Sequence, residues 1–431
     1  MREPPVGDPR TAGDGHDVRP DWKRAYTDVI RVPEFRSLWL SHALSMSGGY
    51  LLSISVVLLV YRQTSSPLAA GVTSAITFIP QILAGPLLSG LSDLLPRRRV
   101  MLASDLVRAA LVVGIGIPGL PLWAVWSLLF CSILPMVPFG AARAALMTEI
   151  VQGERYVAGS AIINLTSHVG TLVGLVAGGA VVALVGPNNA VMINGATFVA
   201  SALIVRLGVR ARPAPVPDGA ARPTLWQVTR DGARLVFGDA RLRTLALFAW
   251  LAGFYMVPFG LAGPLSDEVG AGAVGTGLIM AGPSMGALVG GFVLTRLIAP
   301  VTRIRLIGPL AVGGSVPLLA WLADLPLWAM VALLALSGAL ASYQLVANAA
   351  FVLCVPAVGR GLAFGLVAAG LQAVQGIGIA VASLLVEVVD LGAVIVCSGV
   401  LGIVGALLLA APWTRLAPQV TGLMDAPERS D

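Results

Sequence analysis

Arginine and lysine lie almost entirely on one side of a succession of apolar blocks. With the amino terminus placed in the cytoplasm and the chain crossing a bilayer at each block, Arg62 is the only one of the 28 basic residues that falls in an outer loop. Basic residues held back on the inner side mark a polytopic inner or plasma membrane protein, because the charge bias of short loops sets how a chain inserts. The pattern gives an orientation as well as a solvent. Both termini are expected in the cytoplasm, and the outer loops of the second half are acidic, with Asp267, Glu268, Asp324, Glu387 and Asp390.

Composition agrees where it bears on this reading. Hydrophobic residues make up 57% of the 431 positions and charged residues 12%, whereas a soluble domain carries about 25% charged residues. The net charge of +6 points to anionic lipid headgroups and not to nucleic acid, since the basic residues sit in short loops between apolar blocks. Cys131, Cys354 and Cys397 fall inside those blocks, so no disulfide, metal site or cofactor is expected. Residues 1–36 read as a cytoplasmic tail, rich in Pro, Gly and Asp, with an amphipathic lead-in from Trp22 to Trp39. The tail lacks the apolar run of a cleaved signal.

Twelve blocks can be placed, at about 37–60, 69–91, 100–118, 122–146, 158–185, 189–207, 242–266, 273–299, 306–323, 327–352, 361–386 and 390–412. Most approach the roughly 20 residues that a helix needs to cross a hydrocarbon core of about 30 Å. The fold expected is an all-α membrane protein with twelve transmembrane helices in two six-helix pseudo-symmetric halves, 37–207 and 242–412. A basic cytoplasmic linker, 208–241, joins them, and 413–431 forms a cytoplasmic tail. The linker opens with an extended proline-rich stretch from Arg212 to Pro217, and Leu225 to Phe237 reads as a helix on the membrane surface. Two halves joined in this way are the layout of transporters that rock about a site near the midplane.

Motifs in the first half sharpen this. Leu59-Val60-Tyr61 is followed by Thr64, Ser66 and Gly71; Gly85-Pro86 leads into Leu91-Ser92-Asp93; Pro96-Arg97-Arg98-Arg99 precedes Asp105 and Arg108; Phe139 stands with Arg143, Glu149 and Glu154. In this order they resemble the major facilitator superfamily, in the branch that contains bacterial macrolide and siderophore exporters. The resemblance spans the membrane region and is strongest in the amino-terminal half. It implies that Asp93, Arg97 and Arg98 brace a cytoplasmic gate, where a carboxylate at one helix end can accept from a guanidinium or from free amides at another. The chain departs from the pattern at Ser89 and Pro96, where glycine is usual, and at Leu94, where a basic residue is usual. Gly170, Gly174, Gly178 and Gly179 let backbones approach closely; the resemblance links this run to exporters that work as antiporters, with Leu175 in place of a proline.

Polar residues inside the blocks are costly and so are candidates for function. Asp105 and Arg108 share a helix face, either as a structural pair or as part of proton coupling. Coupling gains weight because Gly49 stands where the family carries an acid. His168, near the middle of the fifth block with Asn164 one turn before it, is a second proton-coupling candidate, and Glu149 a third. Gln372 and Gln375 share a face of the eleventh block, as do Tyr343, Gln344 and Asn348 of the tenth. Met136, Phe139, Phe254, Tyr255, Met256, Met280 and Met285 supply aromatic and thioether walls. Such walls suit a bulky, mostly apolar molecule and argue against a sugar, and against a small anion, which would need a central cation.

No phosphate-binding glycine loop or nucleophile motif is present in the sequence, so neither enzyme chemistry nor ATP-driven pumping is expected. The expected activity is secondary export of a small lipophilic or amphiphilic compound in exchange for protons, by a monomer in the inner or plasma membrane. Import of a small metabolite is the alternative; a sensor or scaffold that no longer transports is another. In a background without the native cysteines, Val269→Cys should react with an impermeant maleimide added to intact cells, and Arg222→Cys should react only after the cells are opened. The reverse labelling would invert the topology.

Overall fold

The computed structural model describes residues 22–81, 95–152, 154–213, 225–356 and 359–424, and every regular element among them is helical. The expected gate residue Asp93, with Gly85, Pro86 and Leu94, lies outside the described residues. Helix α1 covers Trp22–Arg31, α2 Pro33–Thr64 and α3 Pro67–Ile76. After a break come α4 (Arg97–Ile115), α5 (Leu122–Ile133), α6 (Met136–Ile150), α7 (Glu154–Val185) and α8 (Pro187–Gly208). Prolines open α2, α3 and α8, where the missing amide hydrogen is one that the helix leaves unpaired anyway. Ser65 ends α2 in the left-handed region, at φ 51°, and Ser66 caps α3 by accepting from the Ala69 amide at 3.2 Å.

The second group begins with α9 (Leu225–Gly238), which packs on the start of α18. Then follow α10 (Ala240–Trp250), α11 (Ala252–Tyr255), α12 (Val257–Gly260), α13 (Ala262–Glu268), α14 (Gly272–Leu297) and α15 (Pro300–Ser315). A 3-10 turn over Val316–Leu322 leads to α16 (Leu327–Ala341), α17 (Tyr343–Cys354), α18 (Arg360–Leu385) and α19 (Leu391–Met424). Asp239 caps α10 through the Arg241 and Leu242 amides, and its hydrogen bonds to Arg241 hold its carboxyl below the ordinary value.

Nine segments among the described residues are long and apolar enough to cross a membrane. Three expected blocks are not among them, each for a visible reason. Helix α3 ends at Ile76, and the remainder of that block from 82 lies outside the described residues. Helix α4 carries Arg97, Arg98, Arg99, Asp105 and Arg108 along 19 residues. The block at 242–266 is broken into α10–α13 around Gly253, Pro258 and Gly260, positions that interrupt a helix by flexibility or by a missing donor.

Exposure is inverted relative to a soluble protein. Leu184 and Leu207 are each 84% exposed, whereas Asp105 is fully buried and Arg108 is 6% exposed. Apolar side chains spread over the outside in this way need a hydrocarbon solvent, and the protein is a multi-pass α-helical membrane bundle. Its helices touch where side chains are absent. A Cβ on Gly286 or Gly290 would overlap the carbonyl oxygens of Ala335 and Ala339 in α16, and one on Gly338 would overlap that of Pro283 in α14. Gly286→Ala must therefore push α14 off α16. We expect a loss of about 1–3 kcal/mol, read as a lower thermal unfolding midpoint in detergent; an unchanged midpoint would contradict the packing.

Candidate functional site

Helices α2, α3 and α7 meet α12, α13, α14 and α18, and the meeting is tightest toward one end. A Cβ on Gly179 of α7 would lie 2.6 Å from the Ala273 carbonyl oxygen of α14, and one on Gly277 of α14 the same distance from that of Leu175. At this end Tyr61 donates to Asp267 (3.2 Å) and Ser66 to Glu387 (3.4 Å), while Ser74, further in, donates to the Gly260 carbonyl (3.2 Å). Burial, with Asp390 and Asp324 nearby, raises the Glu268 carboxyl above its ordinary value at the same rim. Among the described residues no hydrogen bond or ion pair joins the two groups at the opposite end.

Below this seam lies a cavity of about 560 Å³, within the span of about 300–1,000 Å³ usual for small-molecule sites. From the first group come a stripe of α2, His42, Ser45, Gly49 and Ser53, then Met136, Phe139 and Arg143 of the α5–α6 segment. The second group supplies Met256, Phe259, Met280, Ser284 and Gln372. Gln372 of α18 donates to Gln81, just beyond α3, at 2.5 Å and spans the two groups.

Arg108 reaches this wall from α4. It donates to the Ser45 hydroxyl at 2.8 Å, and its guanidinium carbon lies 3.9 Å above the Phe198 ring centroid. Asp105 turns away from the cavity and accepts from Ser201 at 2.6 Å, and its other carboxylate oxygen has no partner. The two form no ion pair within 4 Å, so the direct pair expected from their spacing is replaced by two separate hydroxyl contacts. Arg143 also lines the cavity, and its buried Nε has no partner. These two guanidiniums overturn the argument against an anion, which assumed no central cation.

The other expected residues divide. Arg97 pairs with Glu149 and with the Ala145 carbonyl (3.3 Å), Arg98 donates to the Arg206 carbonyl, and Arg212 ties Glu34 (2.9 Å) to Glu149 (3.4 Å). These bonds lace one end of the first helix group, the end away from the seam, and do not cross between groups; Glu149 is held there, away from the cavity. Tyr343 donates to the Phe248 carbonyl at 2.8 Å, and Gln344 bonds Tyr255, so these three form a polar knot inside the second group and not a cavity wall. Neither Asn164, which is exposed, nor Gln375 lines the cavity. His168 lies on α7, and its side chain is outside the described set. The imidazole on the wall is His42, hydrogen-bonded through Nε2 to the Ser167 hydroxyl at 3.0 Å, which also lies 3.0 Å from the Ile163 carbonyl. Its signal in the sequence is the stripe His42, Ser45, Gly49 and Ser53, three or four residues apart in an apolar span. Gly170, Gly174 and Gly178 face α2, with Gly174 and Gly178 set closely against Tyr50 and Ile54, whereas Gly179 faces α14.

Residues 38–324 match the family model described as Major Facilitator Superfamily. The chain belongs to this superfamily. Superfamily membership sets it among membrane transporters and not among enzymes. A Bacillus subtilis (strain 168) protein described as an uncharacterized MFS-type transporter, YvqJ, is 21% identical over 63% of this chain and 66% of its own length. Macrolide efflux protein A of Streptococcus pyogenes is 27% identical over 22% of this chain and 25% of its own length. The chain thus spans less than two thirds of either relative. Among solved structures, a POT family transporter in complex with a thioalcohol-conjugated peptide superposes with TM-score 0.69 at 10% identity, covering 90% of this chain and 96% of its own. The nucleoside transporter NupG, as its D323A mutant, does so with TM-score 0.68 at 14% identity, covering 89% and 99%. At these identities the likeness is one of fold.

The seam gives a direct expectation. Gly179→Val places a branched side chain against the Ala273 carbonyl and should wedge the closed end open. A cysteine at Ser284, on the cavity wall, should then react faster with an impermeant thiol reagent added from that side than it does in the parent. Equal rates would show that α7 and α14 do not close this end.

Proposed function

We propose that the protein is a secondary transporter that carries a small organic molecule across the membrane by alternating access. The observation that supports this most is the cavity held between two helix groups that pack tightly across one end, with no hydrogen bond or ion pair joining the groups at the opposite end among the described residues. In the same reading the chain makes twelve spans in two six-helix halves, with α3 in the second span, α7 in the fifth, α14 in the eighth and α18 in the eleventh. A shift by six spans then exchanges the α7–α14 contact for the α18–α3 contact, as expected of related halves. Both termini face the cytoplasm, and the closed end is the outer one.

The substrate is a small polar or amphiphilic metabolite. A wall with two guanidiniums, an imidazole and two glutamines would be left with unpaired donors around a wholly lipophilic molecule. Uptake is the direction we adopt, since the fold is shared over most of the chain with a peptide transporter and a nucleoside transporter. Export is the second reading; it is favoured by the segment aligned with Macrolide efflux protein A and by the glycine run on α7. Coupling to protons is carried by Asp105, which Arg108 shields from the cavity, or by His42 on the wall itself.

Counterflow in proteoliposomes, with panels of labelled carboxylates, dipeptides, nucleosides and macrolides, tests the transport reading. At least one class should cross faster than in protein-free vesicles, and an imposed pH gradient should drive it uphill. Asp105→Asn should abolish the uphill component and retain binding. Full proton-driven flux by that variant would leave Asp105 structural, and flux equal to protein-free vesicles for every class would favour a sensor or scaffold.

A further inference from the structure

The cavity wall carries more positive charge than the described residues balance. Arg108 and Arg143 both line it, and among the described residues no carboxylate does. A guanidinium stays protonated at any physiological pH, so this charge is permanent. Arg108 has Asp105 three residues before it on α4, close enough to balance it at range although the two do not pair directly. Arg143 has no such neighbour: no hydrogen bond or ion pair links it to any described residue, and its Nε is buried without a partner. The titratable side chain on the wall beside it is His42, an imidazole, which cannot supply the negative charge that would balance a guanidinium.

Arg143 is half-buried at the cavity, and a guanidinium partly stripped of water without a protein partner is costly, a cost that a bound anion would offset. Around the two arginines stand Phe139, Phe259, Met136, Met256 and Met280, which accept an apolar body of variable shape. We propose that the substrate is a small organic anion, with one carboxylate-type head held by Arg143 together with Arg108 and an aromatic or aliphatic body laid against the Phe and Met walls. One charge is matched, because Asp105 leaves a single guanidinium uncompensated. The word substrate rests on the transport reading; the binding does not.

Gly49 offers an independent handle. A Cβ at that position would lie 3.9 Å from an Arg108 terminal nitrogen and meet nothing else within 4 Å. Gly49→Asp therefore delivers a carboxylate to the wall with little steric cost.

Calorimetric titration of the purified full chain with 2-naphthoate, 2-naphthamide and 2-naphthylmethylamine separates charge from shape, because the three share one ring system. Naphthoate should bind at least about tenfold more tightly than the other two, the ratio expected for one charge-assisted contact. Arg143→Gln and Gly49→Asp should each remove that preference, and Arg143→Lys, which keeps the charge, should retain most of it. Thermal unfolding midpoints near that of the parent verify that the variants are folded. Naphthoate binding no tighter than naphthamide, an unchanged preference in folded Arg143→Gln, or no binding of any probe would each overturn the proposal. Counterflow with the same probes separates the two readings: naphthoate bound but never moved sinks transport alone, whereas amide or amine moved in preference to naphthoate sinks the anion alone.

Discussion

The contact of α7 with α14 is made by backbone and not by side chains, and the cavity depends on it. Gly179 and Gly277 bring each helix within van der Waals reach of the other's carbonyls, and α3 meets α18 in the same region. In hydrocarbon there is no hydrophobic force between helices, so such seams are held by dispersion and by a few polar contacts. Each of those is small. The Tyr61–Asp267, Ser66–Glu387 and Ser74–Gly260 hydrogen bonds contribute about 0.5–1.5 kcal/mol apiece. Moving a two-state equilibrium from 1:99 to 99:1 takes about 5.5 kcal/mol. The closed end is thus held by a sum of the same order as the energy a bound ligand can supply, which is what reversible gating requires.

The second constraint is the cost of charge in an apolar solvent. It decides where Arg108, Asp105, Arg143 and His42 point: all turn inward, and Leu184 and Leu207 take the lipid-facing positions. Within the interior the cost is met unevenly. Asp105 and Arg108 find Ser201, Ser45 and the Phe198 ring, whereas Arg143 has no hydrogen-bond or ion-pair partner among the described residues. At the end of the bundle opposite the seam, Arg97, Arg98 and Arg212 pair with Glu149, Glu34 and a helix carbonyl. The same residue type therefore braces the bundle at its rim and charges the cavity at its centre.

Much of the fold was legible because it follows from solvent. Nine of the twelve apolar blocks correspond to long apolar helices among the described residues, and the prolines at 33, 67 and 187 sit at helix starts. Position on a helix face was harder to read. Gln372, Met136 and Phe139 were placed toward the centre by their chemistry and lie on the wall. Tyr255, Tyr343 and Gln344 have the same chemistry, yet their partners are carbonyls and hydroxyls freed where α10–α13 break, and that break is not visible in a hydropathy pattern. The Asp105–Arg108 spacing suggested a pair; the competing hydroxyls of Ser45 and Ser201 come from helices far away in sequence. His42 and Arg143 lay near the edges of their blocks, where a polar residue reads as an anchor, and only the packing of α2 against α7 turns His42 into the cavity.

The claim that two helix groups open and close about the cavity is tested most directly by pulsed electron spin resonance on doubly labelled protein in lipid. One pair, at Gln63 and Val388, spans the closed end; the other, at Arg99 and Arg360, spans the opposite end. All four positions are exposed. The account predicts two populations for each pair and, as ligand or pH shifts their weights, a lengthening at 63–388 matched by a shortening at 99–360. Distances that stay fixed at both ends, or that lengthen together, would contradict it.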